Sequence, residues 1–221
     1  MKAKTLKQTD FAVDIDRLAS GLTQLGLGTQ GQELDLFERY AKLLGKWNRV
    51  YNLTAIRTTE EILTHHLLDS AALVPQLAAL APNAQNLLDV GSGGGLPAVP
   101  VAILRPDLEV RAVDAVGKKA AFIQQVAIEL GLKNLQAIHS RVENMTGIFD
   151  VVTSRAFASL GDFTRLTRHL LAPDGLWLAM KGTLTYEEET AVASDVRIAK
   201  VLEISVPGLN EQRHLYALNV A

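Results

Sequence analysis

The chain has no cysteine, and that absence removes disulfide frameworks, thiolate nucleophiles and sulfur-ligated metals at once. Long apolar runs are lacking too. The longest, around 71–81 and 98–104, are interrupted by proline, so no membrane crossing is expected. No secretory leader is expected either, because MKAKTLKQTDF reaches Asp10, Asp14 and Asp16 before any sufficient hydrophobic stretch, and the expected location is the cytoplasm. A basic excess is also missing. Lys and Arg number 22 against 24 Asp and Glu, a formal charge of -2, so any affinity for a polyanion must be local. Candidate cations are Lys46, Arg49, Arg57, Lys118, Lys119, Arg141, Arg155, Arg165, Arg168 and Lys181, and taken singly most read as solvated surface charge. There is no internal repeat and no linker rich in glycine and serine. With 221 residues, 48% of them apolar, a single globular unit is expected, and a monomer.

From about Phe11 to Leu80 apolar residues recur at helical spacing, as in Leu34, Phe37, Tyr40, Ala41, Leu44 and Trp47. Three helices are expected there, with Asp10 and Thr59 as caps. After Pro82 the pattern changes to short apolar runs at 86–90, 110–114, 135–139 and 149–154, separated by helical stretches at 118–130 and 160–171. Such alternation predicts a doubly wound α/β fold with a mostly parallel sheet. A fifth strand is expected at 175–182. The runs at 201–207 and 214–220 are so close together that an antiparallel edge pair is expected.

The strongest local signal is LLDVGSGGGLP at 87–97, a buried strand entering Gly91, Gly93 and Gly95 and then an apolar helix. Glycines permit a closeness of approach that side chains would block, so a ligand is expected against this turn. Asp114 ends the next strand, where a carboxylate accepts hydrogen bonds from ribose hydroxyls. A glycine loop alone can be a mere tight turn, but strand, loop, helix, strand and acid in order describe a nucleoside site. A dinucleotide site would want glycine where this chain has Leu96, to cradle a pyrophosphate. S-adenosylmethionine has no phosphate and suits the loop better, while a nicotinamide-dependent oxidoreductase stays as an alternative. Asp89 either receives the methionine ammonium or ties down the loop. Val142 and Glu143, after the third strand, are candidates for reading the adenine edge, although a glutamate there can equally be solvated.

Taken together, WNRVYNLTAIRTTEEILTHHLLDS at 47–70, the glycine loop, VDAVGKKAAFI at 113–123, SRVENM at 140–145, SRAFASL at 154–160 and MKG at 180–182 resemble the RsmG family, also called GidB. The likeness covers roughly positions 40–182, and its NLTAIR, HHLLDS and SRAFASL segments are far more specific than the glycine loop. That resemblance implies 16S ribosomal RNA guanine-N7 methylation on a class I S-adenosylmethionine-dependent methyltransferase fold. It also implies a helical N-terminal extension at 1–82 packed on a cofactor-binding core at 83–221. The family's cofactor contacts fall on Gly91, Leu96, Val142, Glu143 and Arg155, and Asp114 matches the ribose acid. Departures from the family pattern are Ala98 in place of glycine and Lys119 in place of arginine, which would lose bidentate phosphate geometry.

The residue inventory agrees with that chemistry. Cytosine C5 methylation needs a cysteine nucleophile, and exocyclic amines are usually served by an Asp/Asn-Pro-Pro-aromatic turn where this chain has SRAF at 154–157. Guanine N7 has a lone pair and no proton to lose, so no catalytic base is required. The expected partner is 16S rRNA or the small ribosomal subunit, held by Arg57, Lys118, Lys119, Arg165 and Arg168 with Phe157. Arg155 has two open roles, the methionine carboxylate or the RNA. His65 and His66 point to different helix faces and lack a third ligand, so no metal is expected. Trp47 and Tyr51 are expected to pack the helical part onto the core. Methylation of another acceptor, or a silent RNA-binding module, are the remaining rivals.

Overall fold

The structure is a computed structural model that describes residues 12–29, 31–56, 58–155, 159–184 and 192–221. Helix α1 spans Ile15–Gln24, and its N-cap is Asp14, whose side chain accepts from the Arg17 amide at 3.0 Å. Asp10, the cap expected from sequence, lies outside the described residues. Helix α2 spans Gly31–Tyr51 and buries Phe37, Tyr40, Ala41 and Leu44. A third helical segment, α3, is built of Thr59–Glu61, a π-helical stretch Ile62–Leu68, and the α-helical pieces Asp69–Ala71 and Leu73–Leu80. Its cap is Thr58 rather than Thr59. Thr58 has the extended backbone a cap needs and stands three residues before Glu61, so the two close a reciprocal capping box.

Among the described residues, seven strands form one sheet in the order β3-β2-β1-β4-β5-β7-β6. They are β1 Asn86–Val90, β2 Glu109–Asp114, β3 Leu135–His139, β4 Phe149–Arg155, β5 Leu171–Lys181, β6 Val196–Glu203 and β7 His214–Val220. The first five run parallel, while β7 is antiparallel to both β5 and β6. The doubly wound sheet with an antiparallel edge pair is as expected. Crossover helices are α4 Ala98–Leu104, α5 Gly117–Leu130 and α6 Leu160–Thr167, the last continued by a 3-10 turn at Arg168–Leu170.

Two boundaries differ from the sequence reading. The penultimate strand lies at 196–203 instead of 201–207, because its exposed face carries Arg197 and Lys200 and a register shift between Ile198 and Lys200 breaks the alternation that would reveal it. The fifth strand begins at Leu171, ahead of 175, through an irregular pairing of Phe149 with Leu171.

Each central strand is buried on both faces and feeds two cores. Leu87, Ala112, Val151 and Leu178 join the core formed with α1 to α5, whereas Leu88, Val113, Val152 and Trp177 join the one under α6. The winding direction reverses between β1 and β4, so the chain leaves their C-terminal ends toward opposite faces. A crevice opens at such a reversal, and it is there that the candidate residues meet.

Candidate functional site

A cleft of about 420 Å³ lies at these strand ends, bordered by Leu53, Thr54, His66, Asp69, Gly93 and Arg155 among others. One wall is the glycine loop that follows β1. Gly91, Gly93 and Gly95 take left-handed φ of 71°, 57° and 83°, and a Cβ on Gly95 would lie 2.6 Å from Val99 Cγ2. Only glycine fits there without strain. Asp114 at the tip of β2 ties the loop from the side: its Oδ2 accepts from the Gly93 amide at 2.9 Å and its Oδ1 from the Val116 amide at 2.8 Å. Each oxygen retains a further acceptor site for a ligand hydroxyl.

Asp89, on β1 just before the loop, is fully buried and accepts from the Ala98 amide at 3.2 Å, while its Oδ1 has no partner among the described residues. Burial raises its pKa from the usual carboxylate range to about 7. From behind, the Tyr40 hydroxyl of α2 donates to the Gly94 carbonyl at 2.5 Å, so the loop is also pinned by the helical region.

The opposite wall is built from distant parts of the chain. Arg155, the last residue of β4, donates through Nη1 to the His65 carbonyl at 2.6 Å and to Asp69 Oδ2 at 2.9 Å. Asp69 is itself buried, and its other oxygen lies 3.3 Å from Arg213 Nε, without the alignment of a hydrogen bond. Arg213, just before β7, also pairs with Glu211 at 2.8 Å. Asp69 therefore sits between two guanidinium groups. His66 lies 2.7 Å from Thr54 Oγ1 and 3.4 Å from Arg155 Nη2. Burial, aided by the neighbouring Arg155 charge, lowers its pKa to about 4, so the ring is neutral at physiological pH. The π stretch of α3 thus presents the His65 carbonyl to Arg155, and Asp69, the first residue after it, presents the carboxylate, at the kind of local widening that recurs at functional sites in helices.

Over residues 33–216 the sequence matches the family described as rRNA small subunit methyltransferase G. The chain belongs to that family. Among its relatives, ribosomal RNA small subunit methyltransferase G of Chromobacterium violaceum is 49% identical over 200 residues, 90% of this chain and 94% of that protein. The protein of the same name from Acidovorax sp. is 51% identical over 206 residues, 89% of this chain and 91% of that one. The fold has its parallels in solved methyltransferases. Magnesium protoporphyrin IX methyltransferase from Synechocystis PCC 6803, solved with bound SAM, superimposes with a TM-score of 0.58 at 17% identity, covering 86% of this chain and 98% of that one. TrmN from Thermus thermophilus gives a TM-score of 0.53 at 18% identity over 72% of this chain and 53% of that one. The fold is that of class I methyltransferases, and the protein is a methyltransferase enzyme; the nicotinamide-dependent alternative is set aside.

Among the residues expected from sequence, this rRNA small subunit methyltransferase G family member brings Gly91, Gly93, Leu96 and Arg155 to the cleft directly. Asp114 and Gly95 shape the loop from behind and beside it. Val142 is buried in the 3-10 turn after β3, and Glu143 beside it is exposed, 3.5 Å from Arg141. Both lie past the end of the strand next to β2, along the sheet edge from Asp114. The expected RNA cations do not form one group. Lys119 turns toward Asp114, 3.9 Å away, while Lys118 is exposed. Arg165 and Arg168 border a separate groove with Asp162 and Asp195, and Arg165 is bonded to Asp162 at 2.6 Å. Arg57 and Phe157 lie outside the described residues. Trp47 packs 5.5 Å from Phe122 of α5, as expected, whereas Tyr51 keeps 39% of its surface exposed.

Sequence reasoning missed Tyr40, Asp69 and Arg213. The first two carried a signal: a hydroxyl on an otherwise apolar helix stripe, and an acid in register with buried residues of α3. Arg213 carried none.

Proposed function

We propose that this protein transfers a methyl group from S-adenosylmethionine to N7 of a guanine in 16S rRNA, taken as free rRNA or within the small ribosomal subunit. The observation that carries the reading is the Gly93 to Asp114 bond at the edge of the cleft. It joins the two parts of a nucleoside site, a loop that side chains do not obstruct and a ribose-accepting carboxylate, in a chain of this family. The cleft volume of about 420 Å³ falls in the range of small-molecule sites.

In this reading Gly91, Gly93, Gly95 and Leu96 offer backbone to the cofactor, Asp114 accepts from its ribose, and Val142 with Glu143 meet the adenine. Asp89 has an orphaned buried oxygen, an atom that a ligand's ammonium would satisfy. Arg155 is a further candidate for the carboxylate end or for the incoming RNA. The cofactor supplies an electrophilic methyl on a sulfonium. The protein's own part is to orient both reactants and exclude water.

Two of the titratable groups that line the cleft are already engaged. His66 is neutral but enclosed by Thr54 and Arg155, and Asp69 is engaged by two guanidinium groups. Neither is free to remove a proton, and guanine N7 has none to lose. Residues 1–82 would then serve as the extension that completes the acceptor wall, and 83–221 as the cofactor-binding core. Lys118, Lys119, Arg165, Arg168 and Arg57 are assigned to RNA contact, with Lys119 the weakest of them because it faces Asp114.

The test is nucleoside mass spectrometry of 16S rRNA, presented both free and within small subunits isolated from cells lacking this methylation, after incubation with the protein and S-adenosylmethionine. One new 7-methylguanosine per rRNA is expected. Methyl incorporation at another atom would replace guanine N7 as the acceptor, and no incorporation would leave the silent RNA-binding rival.

A further inference from the structure

From Arg39 to Thr59 the chain contains no Asp or Glu, yet it contains Arg39, Lys42, Lys46, Arg49 and Arg57. In a protein of net charge -2 that is a local bias, and α2 turns it into a surface. At about 100° per residue, Arg39, Lys42, Lys46 and Arg49 fall within an arc of roughly 80° on the helix. All four are exposed, opposite the face that buries Phe37, Tyr40 and Leu44. With Leu43 and Glu129 they border a shallow groove of about 370 Å³. Among the described residues, the acids Asp35, Glu38 and Glu129 lie toward its N-terminal end. Asp35 lies 3.4 Å from Arg39 and the half-buried Glu38 lies 2.7 Å from Lys42, both pairs within one helix with an exposed cation that a stronger anion can engage.

The track has a direction. Helix α5 packs on α2 with Glu129 beside Arg39 and Phe122 beside Trp47, so the two run antiparallel. Its N-terminal turn, with exposed Lys118, is therefore at the Arg49 end. There too are Val50 and Tyr51, 70% and 39% exposed, and beyond them Leu53, Thr54 and Ile56 enter the cleft wall. The four cations span about 15 Å of helix axis, enough for several phosphates.

We propose that this face of α2 holds the sugar-phosphate backbone of the rRNA beside the target nucleotide and guides it toward the cleft, an inference that rests on the acceptor being rRNA. Phosphate contacts of this kind position a substrate without reading its sequence. The apolar end of the track supplies a platform against which an unpaired base can rest. Because the helix that carries the cations also pins the glycine loop through Tyr40, the RNA-holding surface and the cofactor wall are parts of one rigid element.

The experiment compares wild type with Lys42→Gln/Lys46→Gln and Lys42→Glu/Lys46→Glu, both changes at exposed positions outside the cleft. Labelled-methyl transfer is measured on unmethylated small subunits, binding on protein-free 16S rRNA, and S-adenosylhomocysteine affinity by calorimetry. The KM for subunits should rise about tenfold for the glutamine pair and further for the glutamate pair, with kcat and homocysteine affinity unchanged. The slope of log affinity for rRNA against log salt should fall by about 0.7 to 0.9 per lost contact. An unchanged KM and salt slope, in a wild type that methylates, would overturn this assignment alone. So would a loss confined to assembled subunits, since that would mean a ribosomal protein covers the track. Absence of wild-type transfer to small subunits and of binding to 16S rRNA, with homocysteine binding intact, would remove the rRNA reading and this inference with it.

Discussion

The two walls of the cleft are made in opposite ways. The glycine wall is local: one uninterrupted stretch from Asp89 to Ala98 supplies the strand end, the turn and the helix start, and one neighbouring carboxylate, Asp114, ties it. The opposite wall is assembled from Thr54, His66, Asp69, Arg155 and Arg213, residues that only the completed sheet and the docked α3 bring together. Backbone conformation dominates the first wall and buried charge the second. The glycine wall should therefore fail through strain and the charged wall through desolvation.

The largest effect is expected on the charged wall. Asp69→Ala would leave Arg155 and Arg213, with side chains 18% and 22% exposed, facing each other without their anion. Breaking such a pair should cost about 3 kcal/mol, read as a lowered urea midpoint. A loss under about 1 kcal/mol would show that the guanidinium groups are solvated and that the contrast between the walls is false.

On the glycine wall Gly95→Ala should cost about 2 kcal/mol, because φ is +83° and the new Cβ would meet Val99 Cγ2 at 2.6 Å. Gly93→Ala should cost about 1 kcal/mol, because its φ is also left-handed but the nearest atom, the Gly91 carbonyl oxygen, is 3.8 Å from the new Cβ. Equal losses in denaturant melts would mean that backbone angle alone, not close packing, decides the loop.

The walls also carry opposite pH signatures. Asp89 has a folded-state pKa raised to about 7, so the native state holds its proton longer than the unfolded chain does. Its contribution to stability is fully present below the unfolded pKa of about 3.9 and is lost as pH rises toward 7. His66 has a folded-state pKa lowered to about 4, so its contribution grows as pH rises from 4 and is complete above the unfolded value of about 6.5. Between those limits the two oppose each other. Asp89→Asn should make the slope of stability against pH more positive there, and His66→Gln more negative, each by at most about 1.4 kcal/mol per pH unit. Melts across pH 4 to 7 that show the same sign for both variants would contradict the burial of one group or the other.

The same contrast explains what could be read from the residues alone. Five parallel strands, the glycine turn and Asp114 were legible because period, punctuation and order are local properties of a sequence. Strand β6 was displaced in that reading because its exposed face carries Arg197 and Lys200, and the pairing with β7 that defines it is a tertiary fact. Thr58 was missed by one position because both threonines suit a cap and only backbone angle chooses between them. Arg155 was recognised through its motif, but not its bonds, since nothing in SRAFASL announces Asp69 or the His65 carbonyl. Arg213 stood in a stretch without pattern and became part of the site only through the β5 and β7 pairing.

Whether the glycine wall grips an adenosyl group by its ribose is decided by calorimetric titration of S-adenosylhomocysteine into wild type and Asp114→Ala. One site per chain is expected in wild type and an affinity about 10- to 100-fold weaker in the variant, the loss of one to two hydrogen bonds to a charged acceptor. Equal affinities for the two proteins, or no binding to wild type, would contradict it.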